Sequence, residues 1–286
     1  MAEVPYAQML INGVSTGLLY VLTALGLTLA FGVMGIINFV HGELFMLGGY
    51  ITFYAFERAG LNFFGCLALA VLVMAPVGAL IEKVFYRPLR GHPLSVLVVA
   101  IGLSLFLVSF GYLAFGVQDR NMKIPFTGLS HIGGFMISNE RLLTLGISLG
   151  LVICLYLFIR LTKTGRAMRA VAQDAEAAAL VGVSIDRTFA VCMMLGSGLA
   201  AAAGGLVGAL TVVNPSMGHA SLFKAFIIIV LGGLGSIPGA IAGGLILGLI
   251  ESFGTTLIAP EVASLLAFGL VIILLIVRPE GLFGHG

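Results

Sequence analysis

Apolar runs of about membrane-spanning length alternate with short polar connections along the whole chain. A helix needs about 20 apolar residues to cross a bilayer, and segments near 9–33, 62–81, 94–116, 142–161, 188–213, 236–258 and 262–277 satisfy that. Two further apolar segments are less regular. Residues 36–56 carry Asn38, His41 and Glu43, and 223–234 is short for a crossing. The pattern predicts an all-α, polytopic transmembrane helix bundle forming one domain over 1–286, with about eight or nine crossings. The two irregular segments are expected as broken or re-entrant helices, which lipid tolerates only where the freed backbone is covered.

The pattern also hints at an internal repeat. "LGLTLAFGVMGIINFVHGELFMLGG" (25–49) and "GGLVGALTVVNPSMGHASLFKAFIIIVLGG" (204–233) each run from a glycine-rich span through an asparagine (Asn38, Asn214) to a Gly/His pair (His41-Gly42, Gly218-His219) and then Gly-Gly. Five crossings would separate the copies. An odd offset inverts the second copy in the membrane, a common transporter plan.

Composition sharpens the class. The chain is 60% hydrophobic and only 9% charged, against about 25% charged in soluble domains. Its 40 glycines suit helices that associate in lipid by close backbone approach. A net charge of +2 gives no reason to expect nucleic acid. Cys66, Cys154 and Cys192 lie singly in apolar runs, without metal or disulfide spacing. The first residues hold Glu3 and no basic residue, so the first apolar run is expected to stay as a span rather than act as a cleaved leader.

Basic residues set the orientation. Lys83, Arg87 and Arg90 lie in one connection, Arg160, Lys163, Arg166, Arg169 and Arg187 in another, and Arg278 follows the last span; these places hold most of the 14 lysines and arginines. Two crossings separate the first pair of clusters, so both are expected on the cytoplasmic side. The 117–141 connection, with Asp119, Arg120, Lys123, Glu140 and Arg141, then faces out, and the N-terminus is placed outside.

The most polar stretch is "TGRAMRAVAQDAEAAALVGV" (164–183). On one continuous helix over 166–180, Arg166, Arg169, Gln173 and Glu176 share a face. Met168, Val171, Ala172, Ala175 and Ala179 lie opposite, and Gly182 suits a left-handed stop. Such a helix could be a solvated linker, could lie on the lipid surface, or could dock a protein. The mainly alanine face would bury little area in lipid, which favours docking.

These residues carry a resemblance. "EAAALVG" (Glu176 to Gly182) resembles the E-A-A-x-x-x-G cytoplasmic loop of ABC-transporter permeases. "GLTLAFGVMGIINFVHGELFMLGGY", "GRAMRAVAQDAEAAALVGVSIDR", "GGLGSIPGAIAGG" and "RPEGLFG" resemble the branched-chain amino acid permeases, specifically the smaller Liv-type membrane subunit. One block departs: the general loop continues into I-x-L-P, where this chain reads "CMML" (192–195).

The resemblance implies a coupling helix at 166–182, with Glu176, Ala177, Ala178 and Gly182 as matched positions. It implies a second, different permease, two ATP-binding subunits that hold ATP and Mg, and an external solute-binding protein. It also implies a bacterial inner-membrane location and a cargo of leucine, isoleucine, valine or another small amino acid or amide. The chain itself has no G-x-x-x-x-G-K-[ST] phosphate loop, so it is expected to be no enzyme and to bind no cofactor.

Polar residues within the spans are the remaining candidates. Asn38, His41 and Glu43 would line a path or gate, or else form a helix end in headgroup water. A charge at mid-membrane costs about 2.5–3.5 kcal/mol on insertion scales, and one histidine with one carboxylate makes no metal site. Asn214-Pro215 reads as an outward helix stop. "GGLGSIPGA" (232–240), with Gly235 and Pro238, reads as a hinge or re-entrant turn. Glu251 is expected at an outer interface. The spans show no fixed charge cluster, which suits a small neutral or zwitterionic solute. The rival reading is an ion-coupled secondary transporter using His41, Glu43 or Glu251; a channel is weaker.

Overall fold

The computed structural model describes residues 6–122, 126, 128–132, 135–278 and 280–283. Glu3 and Lys123 therefore lie outside the described residues. Among the described residues, nine apolar helices stand where the sequence places them: α1 (Tyr6–Met34), α2 (Val40–Glu57), α3 (Phe63–Ile81), α4 (Pro93–Phe115), α5 (Asn139–Leu161), α8 (Ile185–Leu210), α9 (Met217–Gly232), α10 (Ile237–Leu257) and α11 (Pro260–Val277). Two polar helices, α6 (Lys163–Gln173) and α7 (Ala175–Leu180), sit between α5 and α8. A hairpin of β1 (Leu129–Ile132) and β2 (Phe135–Ser138) precedes α5.

Among the described residues, six helices are long and apolar enough to cross a membrane: α1, α3 with its extension to Leu89, α4, α5, α8 and α10. The irregular pair is shorter. α2 has 18 residues and α9 has 16, about 27 and 24 Å at 1.5 Å per residue. Residues 35–38, before α2, are non-helical. Asn38 lies at this entry, its side chain accepting from the Val40 amide at 3.2 Å.

The core is built on small residues. α1 packs along α10 and α8 along α3, while α2 and α9 fill the space between them. The two halves meet at equivalent residues. Gly42, one helical turn after Asn38, lies against Gly218, one turn after Asn214. A Cβ on Gly42 would come 2.5 Å from the Gly218 carbonyl oxygen, and one on Gly218 2.4 Å from that of Gly42. Gly26 of α1 and Gly196 of α8 make a second close backbone approach, at 2.8 and 3.0 Å, without being counterparts in the repeat. Gly42 and Gly218 are counterparts, and a residue on a two-fold axis touches its own counterpart.

The basic connections share one end. After α3 the chain forms a π-helical turn (Glu82–Tyr86) and a 3-10 turn (Arg87–Leu89). Arg87 and Arg90 reach Asp186 in the first turn of α8. At the opposite end, Arg120 and Val213 pair their backbones and Asn214 donates to Asp119 at 2.9 Å. The 117–122 and 211–216 connections therefore lie together, away from the basic end.

Candidate functional site

The polar stretch at the basic end is two helices, not one. Asp174 leaves helical geometry (φ −157, ψ 108) and its carboxylate accepts from the Glu176 and Ala177 amides, both at 2.9 Å. An aspartate at this position satisfies amides that α7 would otherwise leave orphaned. The continuous helix expected over 166–180 is thus broken, because the capping geometry outweighs the helical preference of the alanines. α6 starts with Thr162 capping Gly165 at 2.9 Å. α7 ends at Gly182 in the left-handed region (φ +87), as its position suggests.

The expected partner face is also revised. Met168, Val171 and Ala178 are buried. Val171 and Ala178 form a small cluster with Phe189 of α8, flanked by Val33 and Met34 of α1. Met168 and Val171 of the expected docking face are therefore taken up by the chain itself, while Ala172 and Ala179 stay exposed. Arg166, Arg169, Gln173, Glu176, Ala177 and Gly182 stay exposed. Arg169 donates to the Ile159 carbonyl. Glu176 borders a groove of about 420 Å³ shared with Tyr86, Arg90 and Phe189. Leu180 and Val181 are 89% and 80% exposed, and sequence reasoning passed over them. Their signal was two large aliphatic residues on an otherwise small and polar segment.

The segment is tied firmly to the spans behind it. Glu82 is fully buried and accepts from Arg87 at 3.0 Å and from Arg90. The Arg90 guanidinium lies over the Phe189 ring at 4.5 Å. A displacement of α7 therefore reaches Phe189 and the starts of α1's last turn, α8 and the 82–90 connection together.

Inside the bundle, the sequence-selected residues separate. Asn38, His41 and Glu43 are all buried in protein, so the headgroup alternative does not hold. Asn38 accepts from the Tyr86 hydroxyl at 2.7 Å and His41 Nε2 lies 2.9 Å from the Thr23 carbonyl oxygen. Glu43 accepts from Ser104 at 3.1 Å and faces His219 at 3.7 Å. Its second oxygen has no partner among the described residues. Gly235 lies against the Gly32 backbone, and Pro238 is exposed in the first turn of α10 at the basic end. The 232–240 segment turns the chain from α9 into α10 and makes a helix contact through Gly235 and Gly32.

Asn214 borders a cavity that holds polar side chains. This cavity of about 390 Å³ runs from the 211–216 connection down to Lys224, with Tyr20, Thr23 and Ser221 on its wall and Phe45, Val207 and Met217 beside them. Lys224 lies 2.9 Å from Glu251 Oε1 and 3.0 Å from Oε2, and also reaches the Tyr20 hydroxyl, which donates to Glu251. This corrects two expectations: the spans do hold a charge cluster, and Glu251 is paired across helices rather than left at an interface. A carboxylate inside a span gains more from a fixed ammonium than it would in water.

Apolar helices long enough to cross a membrane, with a cavity holding polar side chains among them and a basic, exposed helix pair at one end, define a membrane transport protein. The family described as the branched-chain amino acid transport system permease component matches residues 9–275, and the chain belongs to it. It is 38% identical to the high-affinity branched-chain amino acid transport system permease protein BraD of Pseudomonas aeruginosa, covering 98% of this chain and 96% of that one. It is 36% identical to LivH of Escherichia coli K12, with the same coverage. LivM of the same organism is 27% identical, over 93% of this chain and 68% of LivM. No solved structure matches.

Proposed function

We propose that the chain is the membrane-spanning permease subunit of an ATP-driven ABC importer in a bacterial inner membrane. The cargo is a branched-chain or other small amino acid or amide. The reading places a second, homologous permease beside it, two ATP-binding subunits holding ATP and Mg at the basic end, and a solute-binding protein at the other. The similarity of LivM, a second permease by its name, supports a heterologous pair.

One observation carries the mechanism. α6 and α7 present Leu180 and Val181 outward while Val171, Ala178 and Phe189 bind the same segment to α1 and α8. An ATPase gripping the exposed tip moves two spans at once. α1 carries Val33 at the segment and Tyr20 at the cavity, about 20 Å apart along a continuous helix. Closure of the ATPase pair thus tilts a cavity wall, and access alternates by rigid-body rocking.

The test is leucine uptake by proteoliposomes holding the complete assembly, with ATP supplied on the basic side. Uptake should require ATP, and Glu176→Lys or Gly182→Val should abolish it. The rival, an ion-coupled transporter using Glu43 or Glu251, predicts gradient-driven uptake by this chain alone, insensitive to both substitutions.

A further inference from the structure

We propose that the cavity ending at Lys224 is a binding site, within this chain, for the carboxylate end of an amino-acid zwitterion; the assignment rests on the amino-acid reading above. Three observations converge. Lys224 is a lysine inside a 16-residue apolar helix, a placement that is costly in lipid and marks function by default. It lines an open cavity rather than packed protein, its side chain remaining 35% exposed against 16% for Glu251. The remaining wall is divided by chemistry, with Thr23, Asn214 and Ser221 offering polar oxygens and Phe45, Val207 and Met217 an apolar surface.

An ammonium has three donor protons. Two of them serve hydrogen bonds to the Tyr20 hydroxyl and Glu251 Oε2, leaving the third for a carboxylate arriving through the cavity. Glu251 pairs with the lysine and balances its charge, so the pair adds no net charge to the empty site. A zwitterion also brings none, and its ammonium meets the side-chain oxygens of Asn214 and Ser221. An aliphatic side chain then rests on Phe45 and Met217. A neutral sugar would bring no carboxylate to the remaining Lys224 donor, and a dianion would leave the site with excess negative charge.

The test uses the complete assembly in a Cys154→Ser background, Cys154 being the exposed native thiol. Ala220→Cys puts a single reporter on the exposed cavity wall. Labelling by a small thiosulfonate is followed with millimolar leucine or leucinol, which lacks the carboxylate, and leucine uptake is measured in parallel. Leucine should slow labelling, leucinol should not, and Lys224→Met should raise the leucine needed at least about ten-fold. Lys224→Met/Glu251→Gln, which leaves no unpaired charge, should show the same loss in a well-folded assembly. Leucine uptake without leucine protection, or protection that survives in both variants, overturns the site and leaves the transport reading standing. Absence of uptake and protection with every amino acid tried overturns both.

Discussion

The two halves of the repeat begin their short helices with the same asparagine and Gly/His signature and put it to different use. At α2 the signature is filled by protein: Asn38 holds Tyr86, His41 holds the Thr23 carbonyl, and Glu43 holds Ser104. At α9 the equivalent region opens onto a cavity bordered by Asn214, Ser221 and Lys224. The halves still touch through Gly42 and Gly218. One of the two similar segments is thus packed into the bundle, and the other borders a cavity.

The contact on the axis is the most severe place to disturb the comparison. Gly42→Val or Gly218→Val drives a side chain into opposing backbone, beyond the ~1–3 kcal/mol of ordinary overpacking. Neither should yield monodisperse protein in detergent, whereas Gly102→Val in α4, with nothing within 4 Å, should behave as the parent. Next comes the cavity itself. Lys224→Met removes a charge-assisted hydrogen bond, roughly 1.5–3 kcal/mol, so leucine uptake should fall about ten-fold or more. Glu43→Gln in the filled copy should keep uptake near the parent. The reverse ranking would exchange the roles of the halves.

A smaller effect is expected at Asn38→Ala, which orphans the Tyr86 hydroxyl. The loss should be about 1–3 kcal/mol, read as a lower melting temperature with uptake retained. Smallest is Asp186→Ala. Its carboxylate is 54% exposed, and such pairs contribute about 0–1 kcal/mol. A shift of that size, shrinking further in high salt, is expected in the same melting experiment.

The placement of the apolar helices was legible because a span is a local property of about 20 consecutive residues. The shared side of the two basic connections followed from charge and span parity. The break at Asp174 was not read, since an aspartate in a helix and one capping the next helix look alike amid alanines. The Asp-Ala-Glu spacing was the available sign. Lys224 was missed for another reason. Its partners Tyr20 and Glu251 are 204 and 27 residues away, on other helices, and no local pattern announces such a meeting. The docking face was only partly legible, because one helix face can serve both a partner and the chain's own core: Met168 and Val171 are buried, Ala172 and Ala179 are exposed, and the large exposed apolar side chains beside them are Leu180 and Val181.

The central claim is that the tip of α7 faces the cytoplasm and is gripped there by the ATPase. Val181→Cys, with Cys154→Ser, in sealed vesicles of either orientation tests it with a membrane-impermeant maleimide. The account predicts labelling from the cytoplasmic face only, blocked when the ATP-binding subunits are bound. Labelling from the external face, or labelling unaffected by those subunits while ATP-driven uptake proceeds, would contradict it.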